Sequence, residues 1–482
     1  MKKIFIAMLL LLAFVMAVAC ENVEYPEESS VIIAESSEDI YEKLESQLPP
    51  PFEESEGEVK KQEFVIATDK KEAFINEEGA SGSVNRAVEK RNNFLYDNYG
   101  AEISVKEVKA ADLTKSLKET LESGLHFCDM ISVSAKETVK LMNAGLLSDM
   151  NTLPDFDATS EYFDEDNATR LATNNTLYML VDPTVQYYEE EYVMFYNRNL
   201  TAKSVDKNPE TLALQGKWTW DTFNEVCRAT APDVYNQSTS DLQNDVFGYG
   251  AYYNVGTLPL VMWTASGQRM IDNTYKTAVG LSMSVDEVQT AAKPLRDIYN
   301  TRGRLPLEGE DVANAFKNDR LSFMVHKFSY FYTLRNEDAD KYGILPIPKQ
   351  NEEQEEYYCL LSSDARVISL PRTMDFQSDD KRRFVSVVLA ATCAAGGETV
   401  KSAFVNEHIG TYLFNNEETV LFTMICDSAT FDFSTVYGSV IGEIRRPTTD
   451  AIVDYVEFGS AISSSISRSL TAFNKYSAEK FK

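Results

Sequence analysis

Strand-like apolar runs alternate with amphipathic helical patterns over about eighty residues near the start of the folded part of this chain. The predicted strands are Phe64–Thr68, the alternating apolar residues Ile103, Val105 and Val108, and Met130–Val133, and the predicted helices are Val84–Tyr99, a segment with Leu113, Leu117 and Leu121 on one face, and Lys136–Asn143. Strands that alternate with helices are typical of a parallel sheet covered by helices. The sequence therefore predicts an α/β lobe.

Polar residues follow two of these strands where a ligand could meet them. Asp69 comes directly after the first strand, and Ser134 follows the third. Ligands of open α/β sheets bind beyond the carboxyl ends of the strands, so both residues are candidate ligand-binding residues. The alternative is structural, because Ser134 stands where it could cap a helix and Asp69 could simply end a strand.

The second part of the chain predicts further strands and helices with no fixed-period repeat. Leu177–Val181 runs as a strand into Asp182, and Thr219 can cap a helix that buries Trp220 and Phe223. Further segments are helices at Val285–Asn300, Glu310–Lys317 and Arg382–Ala395, and strands at Tyr192–Tyr196, Leu321–Val325, Tyr357–Leu361 and Arg366–Leu370.

The first twenty residues have the pattern of a secretory signal peptide. Lys2 and Lys3 precede an apolar run from Ile4 to Ala19, which is too short for a spanning helix. The series Ala17, Val18, Ala19 and Cys20 resembles the lipobox of bacterial lipoproteins, so Cys20 is the predicted lipidation site. The alternative is an ordinary signal peptide cut after Ala19. Residues 21–60 are acidic and include three consecutive prolines, which predicts a flexible tether.

Composition excludes several partners and sites. A formal net charge of −29 argues against nucleic acid, which clustered Lys and Arg normally bind. Only three histidines are present and they lie far apart, so we expect no metal site and no cofactor. Besides Cys20 there are five cysteines, set among apolar neighbours, which we interpret as buried free thiols rather than disulfides.

Several local segments together resemble the extracellular solute-binding proteins of ABC importers, the carbohydrate-type group called family 1. The segments are Asp129–Val133 followed by Ala144–Leu147, then Phe195–Leu200, Gly216–Asp221 and Tyr342–Pro348. The resemblance implies the type II periplasmic-binding-protein fold, in which two α/β lobes joined by a hinge enclose a ligand. The implied lobes are residues 61–181 plus 367–410 and residues 182–366 plus 411–482.

The resemblance also implies a lipid-anchored monomer on the extracytoplasmic face of the membrane that delivers a solute, expected to be an oligosaccharide, to permease subunits. Sugar sites need flat aromatic faces and hydrogen-bonding carboxylates. The candidate platforms are Tyr187, Tyr330, Tyr358 and Trp263, the last beside Gly267 in a polar loop, and the candidate acceptors are Asp69, Asp182 and Asp364. The alternative is that these aromatics are core residues.

The chain departs from the family pattern at positions that matter for the ligand. Val181 replaces a usual glycine, Glu161–Phe163 stands where a tryptophan pair is common, and no tryptophan follows the strand at Met324.

A secreted carbohydrate-active hydrolase is the competing function. The sequence has no G-x-S-x-G or H-E-x-x-H motif, but 75 acidic residues leave a carboxylate pair open.

Overall fold

The computed structural model describes residues 41–44, 48, 60–76, 82–173, 175–182, 184–204, 207–237, 240–253, 256–272, 280–413, 415–438, 440–453 and 458–480. The predicted signal peptide, Cys20 and most of the predicted tether lie outside these residues. The chain divides into two compact units, 1–43 and 44–482, and every described strand lies in the second. Of the first unit, the described part contains only helical residues 41–43.

Strands and helices follow one another along the described chain. The strands are β1 Gln62–Thr68, β2 Ala101–Glu107, β3 Met130–Ser134, β4 Leu147–Ser148, β5 Leu180–Val181, β6 Tyr192–Asn197, β7 Phe247–Ala251, β8 Ile271–Asp272, β9 Gly280–Leu281, β10 Leu321–Lys327, β11 Tyr342–Leu345, β12 Cys359–Leu360, β13 Arg366–Pro371 and β14 Ala429–Thr430. The helices are α1 Ser83–Tyr99, α2 Ala110–Ser123, α3 Ala135–Asn143, α4 Glu165–Leu171, α5 Arg198–Thr201, α6 Pro209–Leu214, α7 Trp220–Thr230, α8 Pro232–Asn236, α9 Leu258–Ala265, α10 Val285–Tyr299, α11 Glu310–Lys317, α12 Tyr330–Asp338, α13 Asp379–Ala395, α14 Asn416–Asp427, α15 Phe433–Tyr437, α16 Arg446–Val453 and α17 Phe458–Lys480.

The first sheet contains the strand and helix alternation that the sequence predicts. Its order is β2-β1-β3-β13-β4, and β5 also pairs with β13. β1 pairs in parallel with β2 and β3, whereas β13 runs antiparallel to β3, β4 and β5. The prediction of a parallel sheet therefore holds for the first three strands, and β13 returns from far along the chain to add an antiparallel strand.

The second sheet has the order β11-β6-β10-β7, and one of its strands, β7, was not predicted from the sequence. β7 contains Gly248 and Gly250. Because glycine is depleted in strands, this segment was not predicted to be a strand. A Cβ at Gly248 would lie 2.8 Å from the Cβ of Cys227, so the glycine lets α7 pack closely on β7. Thr219 caps α7 as predicted, through a capping box with Thr222.

The chain passes between the two sheets at least twice. β5 lies in the first sheet and β6 in the second, so the chain between them, described at residues 182 and 184–191, is a first crossing segment. β11 lies in the second sheet and β13 in the first, so residues 361–365 end a second crossing. α14 packs on β11, whereas α15 packs on α3 beside the first sheet. The fold class is the predicted two-lobed α/β fold; the exact lobe boundaries stay a prediction.

The core contains every predicted core tryptophan and one helix of unusual apolarity. Trp218 and Trp220 are 0% and 2% exposed, as predicted. The continuous helical stretch Asp379–Tyr412 is long and apolar enough to cross a membrane. However, 78% of its most apolar 18-residue segment is buried inside the protein. Within the described residues this stretch is therefore a core helix.

Gly343 of β11 offers a test of the packing between strands. A Cβ there would overlap the ring of Tyr196 on β6, and we expect Gly343→Ala to lower the free energy of unfolding by about 1–3 kcal/mol through overpacking. Gly397 is the matched control, because a Cβ there meets no atom within 4 Å. Urea denaturation checks both; equal stability of the two variants would contradict the packing.

Candidate functional site

The polar edges of the two sheets hold most of the candidate site. In the first sheet, the carboxyl ends of β1 and β3 lie beside the start of antiparallel β13, where Thr68 pairs with Ser132 and Ser134 with Arg366. In the second sheet, the carboxyl ends of parallel β7 and β10 lie beside the start of β6. Both crossing segments join these edges. The cleft that the resemblance implies would therefore lie between them.

A buried arginine organises the edge of the first sheet. Arg366 donates from Nη1 to Asp69 Oδ1 (2.8 Å) and from Nη2 to Thr68 Oγ1 (2.6 Å) and Ser132 Oγ (3.0 Å). Its Nε lies 3.8 Å from Asp182 Oδ2, and Asp182 also accepts from Ser132 Oγ and from the amide of Thr184 (2.8 Å). The structure thus brings together the predicted residues Asp69 and Asp182. Asp182 is 1% exposed and bound by protein donors, whereas Asp69 is exposed.

A chain of ion pairs links the two lobes. Lys327, at the end of β10, donates to Glu190 Oε2 (2.6 Å) and to Asp364 Oδ2 (3.2 Å). Asp364 also pairs with Lys136 in the first turn of α3, and Ser362 donates to Glu190 (2.7 Å). The predicted residue Asp364 therefore lies between one lysine from each lobe.

The ion pairs set the charge states of these groups. Burial alone would raise the pKa of Asp364, but the hydrogen bond from Lys136 and the charge of Lys327 bring the pKa below its usual range. Burial alone would lower the pKa of Lys327, but the carboxylate of Glu190 raises it overall. Asp364 is therefore a carboxylate and Lys327 an ammonium at neutral pH.

Four aromatic rings pack against one another at the edge of the second sheet, and we call Tyr252, Tyr253, His326 and Tyr330 the aromatic wall. The ring centroids of Tyr252 and His326 lie 4.4 Å apart, and those of His326 and Tyr330 lie 4.3 Å apart with an interplanar angle of 23°. Tyr253 is 37% exposed, and Lys327 Nζ lies 5.8 Å from its ring centroid. The wall therefore adjoins the ion-pair chain.

His326 is neutral within this wall. Burial lowers its pKa to about 4, although a contact of 3.2 Å between Nδ1 and the carbonyl of Lys327 opposes the shift. A carbonyl accepts only from a protonated nitrogen, so this contact favours the tautomer with the proton on Nδ1. Nε2 is then an acceptor.

The other predicted site residues lie apart from the wall. Ser134 is at the N-cap of α3, where its side chain makes no capping hydrogen bond. Tyr187 lines a cavity of about 430 Å³ together with Asp182, Tyr188 and Lys401, and none of the wall residues lines this cavity. Burial raises the pKa of Tyr187 well above its usual range.

Trp263 and Tyr358 are also placed elsewhere. Trp263 was expected in a polar loop, but it is 1% exposed inside α9, a helix that is buried all round, so the expected location is wrong. Tyr358 faces the guanidinium of Arg170, 5.6 Å from its ring centroid, and adjoins Gly267. Of the predicted platforms, only Tyr330 belongs to the aromatic wall.

Five residues of the candidate site were not predicted from the sequence: Tyr252, Tyr253, His326, Lys327 and Glu190. Tyr252 and Tyr253 directly follow β7, the strand that was not predicted. Recognising that strand would have marked them, because they stand at its carboxyl end beside that of β10.

The five described cysteines, Cys128, Cys227, Cys359, Cys393 and Cys426, are buried and unpaired, as predicted. Among the residues that the structure describes, no group of three or more His, Cys, Asp or Glu side chains is arranged to hold a metal ion.

Comparison with known proteins supports the architecture. No protein-family model matches the sequence, and no curated protein matches it either. Among solved structures, the chain is similar to a cyclic alpha-maltosyl-1,6-maltose binding protein from Arthrobacter globiformis, with a TM-score of 0.53 and 12% identity over 86% of this chain and 99% of the other. The chain has the fold of two-lobed periplasmic binding proteins.

Two further solved structures agree with this fold. One is the maltose-binding periplasmic protein of Listeria monocytogenes in complex with maltose, with a TM-score of 0.51 and 13% identity over 87% of this chain and 99% of the other. The other is the galacto-N-biose and lacto-N-biose I-binding protein of a Bifidobacterium longum ABC transporter, with a TM-score of 0.51 and 12% identity over 86% and 98%.

Removing the guanidinium of Arg366 tests the first-lobe network. Arg366→Met would remove the buried positive charge that faces the Asp182 carboxyl group, and we expect a loss of about 3–5 kcal/mol in the free energy of unfolding. Arg372→Met is the control, because Arg372 is exposed, its partner Asp375 (2.8 Å) is half-buried, and solvent-accessible pairs contribute about 0–1 kcal/mol. Urea denaturation at pH 7 measures both; a small loss at Arg366 would contradict the network.

The lowered pKa of His326 predicts how the stability of the protein depends on pH. Its pKa is about 4 in the folded protein against an ordinary value of 6.5, so the unfolded chain binds more protons between these values. Stability therefore falls as the pH drops through this window, by at most about 1.4 kcal/mol per pH unit. The difference in unfolding free energy between wild type and His326→Phe should shrink or reverse on going from pH 7 to pH 4.5. A difference that does not change with pH would contradict the buried neutral imidazole.

Proposed function

We propose that this chain is a substrate-binding protein that captures an oligosaccharide between its two lobes and delivers it to the permease of an ABC transporter. The observation that carries the proposal is the aromatic wall beside the chain of Glu190, Lys327, Asp364 and Lys136. Stacked rings suit the C–H faces of sugar rings, and the charged groups can accept from and donate to hydroxyls. The similar structures named above are of sugar-binding proteins, which agrees with this substrate class.

Capture would involve bending at the two crossing segments. A ligand that contacts Tyr253 on one lobe and Asp69 on the other binds the closed arrangement better than the open one, so it shifts the population towards closure. Delivery to a permease would follow from recognition of the closed form. We infer no catalytic step.

Hydrolysis of the bound sugar is the competing function, and the binding of Lys327 to both Glu190 and Asp364 argues against these two carboxyl groups as its acid. A glycosidase needs one carboxylic acid that keeps a proton for the leaving group. Lys327 binds both Glu190 and Asp364, and the pKa of Asp364 is below its usual range. Incubation with an oligosaccharide panel tests this: released products would overturn the binding-protein proposal, whereas saturable binding without turnover supports it.

Tyr253 provides the sharpest mutational test of the cleft. We expect Tyr253→Ala to weaken binding of the oligosaccharide found in the panel by at least tenfold, about 1.4 kcal/mol, because the exposed stacking face is lost. Tyr253→Phe keeps the ring and should stay within a few-fold of wild type. Tyr96→Ala, at a tyrosine that is 42% exposed on α1, is the surface control. Isothermal titration calorimetry measures all three; unchanged affinity in Tyr253→Ala would contradict the site.

We further propose that Cys20 anchors the protein by lipid to the extracytoplasmic face of the membrane, with residues 21–60 as the tether. Cys20→Ser should move the protein from the membrane fraction to the soluble fraction and abolish incorporation of a labelled fatty acid. A Cys128→Ser variant, at a buried thiol, is the control. Membrane association that persists in Cys20→Ser would contradict the anchor.

A further inference from the structure

The edge of the first sheet that lies opposite the candidate site exposes apolar side chains. This edge is formed by the amino ends of parallel β1, β2 and β3 and by the carboxyl end of antiparallel β13. Large apolar side chains are exposed in three segments that meet there: Tyr96 in the last turn of α1 (42%), Leu125 ahead of β3 (65%) and Phe376 after β13 (72%). We call these three residues the apolar edge.

Polar contacts hold two of these segments against the start of β1. Lys381, in the first turn of α13, donates to the carbonyl of Glu63 in β1 (3.3 Å) and pairs with Asp129, directly before β3 (2.8 Å). His126 Nε2 lies 2.9 Å from Asp129 Oδ1, and its Nδ1 lies 3.3 Å from the hydroxyl oxygen of Thr373. The loops before β3 and after β13 therefore adjoin each other and the start of β1.

The chain enters the first lobe at this same edge. The amide of Gln62, the first residue of β1, donates to the carbonyl of Gly100 (2.8 Å), and Lys61 Nζ lies 3.9 Å from the ring centroid of Tyr96. Residues 21–60 separate this point from the proposed lipid on Cys20. An anchored chain therefore keeps this edge near the bilayer at a high effective concentration.

The charge of these segments suits a membrane surface. The whole chain has 46 Lys and Arg against 75 Asp and Glu, an excess that anionic lipid repels. Residues 60–63, 96–97, 122–129 and 372–383 together contain six Lys or Arg and seven Asp or Glu, so they carry almost none of this excess. The edge can therefore approach lipid without the repulsion that the net charge of the chain predicts.

We propose that the apolar edge rests on the lipid bilayer, with Leu125 and Phe376 inserted among the lipid head groups. Aromatic and leucine side chains favour this interfacial region. The inference rests on the proposed anchor, which brings the edge to the membrane, because so small an apolar surface binds lipid only weakly and reversibly by itself. The candidate site lies at the other edge of the sheet, so this contact orients the first lobe with its solute-binding residues away from the bilayer.

Site-specific fluorescence tests the contact on residues 21–482, held to vesicles by an amino-terminal histidine tag and nickel-chelating lipid. The vesicles contain phosphatidylethanolamine and phosphatidylglycerol. Because the five described cysteines are buried, a nitrobenzoxadiazole maleimide labels a cysteine introduced by Leu125→Cys, Phe376→Cys or, as the control, Val420→Cys. Val420 is 38% exposed on α14, which packs on β11 of the second sheet.

Lipid that carries a nitroxide near its head group should quench the labels at the apolar edge at least about twofold more than the label of Val420→Cys, because only the edge inserts into lipid. In the Leu125→Cys protein, adding Phe376→Asp should reduce the quenching, whereas adding Val420→Asp should not. Phe376 and Val420 are exposed, so both aspartate variants should keep the wild-type melting temperature.

Equal quenching of the three labels, or quenching that Phe376→Asp leaves unchanged, would overturn the membrane contact. Protection of the Phe376→Cys label from aqueous iodide in the absence of vesicles would also overturn it, because a second copy of the chain would then cover the edge. Failure of the proposed anchor is a separate result. It is measured by fractionation of Cys20→Ser, whereas the histidine tag replaces the lipid in this experiment.

Discussion

The geometry of this protein depends on the buried guanidinium of Arg366. The residue begins β13, the strand that returns from the second lobe, and it binds the ends of β1 and β3 together with Asp182, where the chain leaves the first lobe. A buried charge costs several kcal/mol unless it is paired, so the arginine and its partners must stay together. Both crossing segments therefore meet the first sheet at one fixed place.

That fixed place positions the candidate cleft. Asp364 lies two residues before Arg366 and is the point at which Lys136 of the first lobe and Lys327 of the second meet. Beyond Lys327, the aromatic wall offers stacked rings with a neutral imidazole between tyrosines. Carboxyl groups that are bound by a lysine and lie beside flat rings suit recognition of hydroxyl groups.

Local patterns in the sequence predicted much of the fold. The first alternating strands and helices appear within a few residues of their predicted bounds, because strand and helix periodicity there agrees with burial. β7 was missed because two glycines remove its strand signal; Gly248 packs closely on Cys227 of α7, and Gly250 packs on Leu321 and Val312. Trp263 was misplaced because α9 is apolar all round and has no helical periodicity to reveal it.

The candidate site was less predictable because it consists of residues that tertiary structure brings together. Asp69, Asp182 and Asp364 were identified by their position after strands or near crossings, but their partners, Arg366 and Lys327, are distant in sequence. Tyr253 and His326 come from strands that are adjacent only in the folded sheet. A local sequence pattern does not indicate which distant residues become neighbours in the folded protein.

Hydrogen exchange measured by mass spectrometry, with and without a saturating oligosaccharide, tests most directly whether the solute binds between the two sheet edges. The account predicts that peptides covering Asp69–Glu72, Tyr252–Tyr253 and His326–Tyr330 gain protection together. Protection confined to the segments around Trp263 and Tyr358, or absent from one of the two lobes, would contradict it.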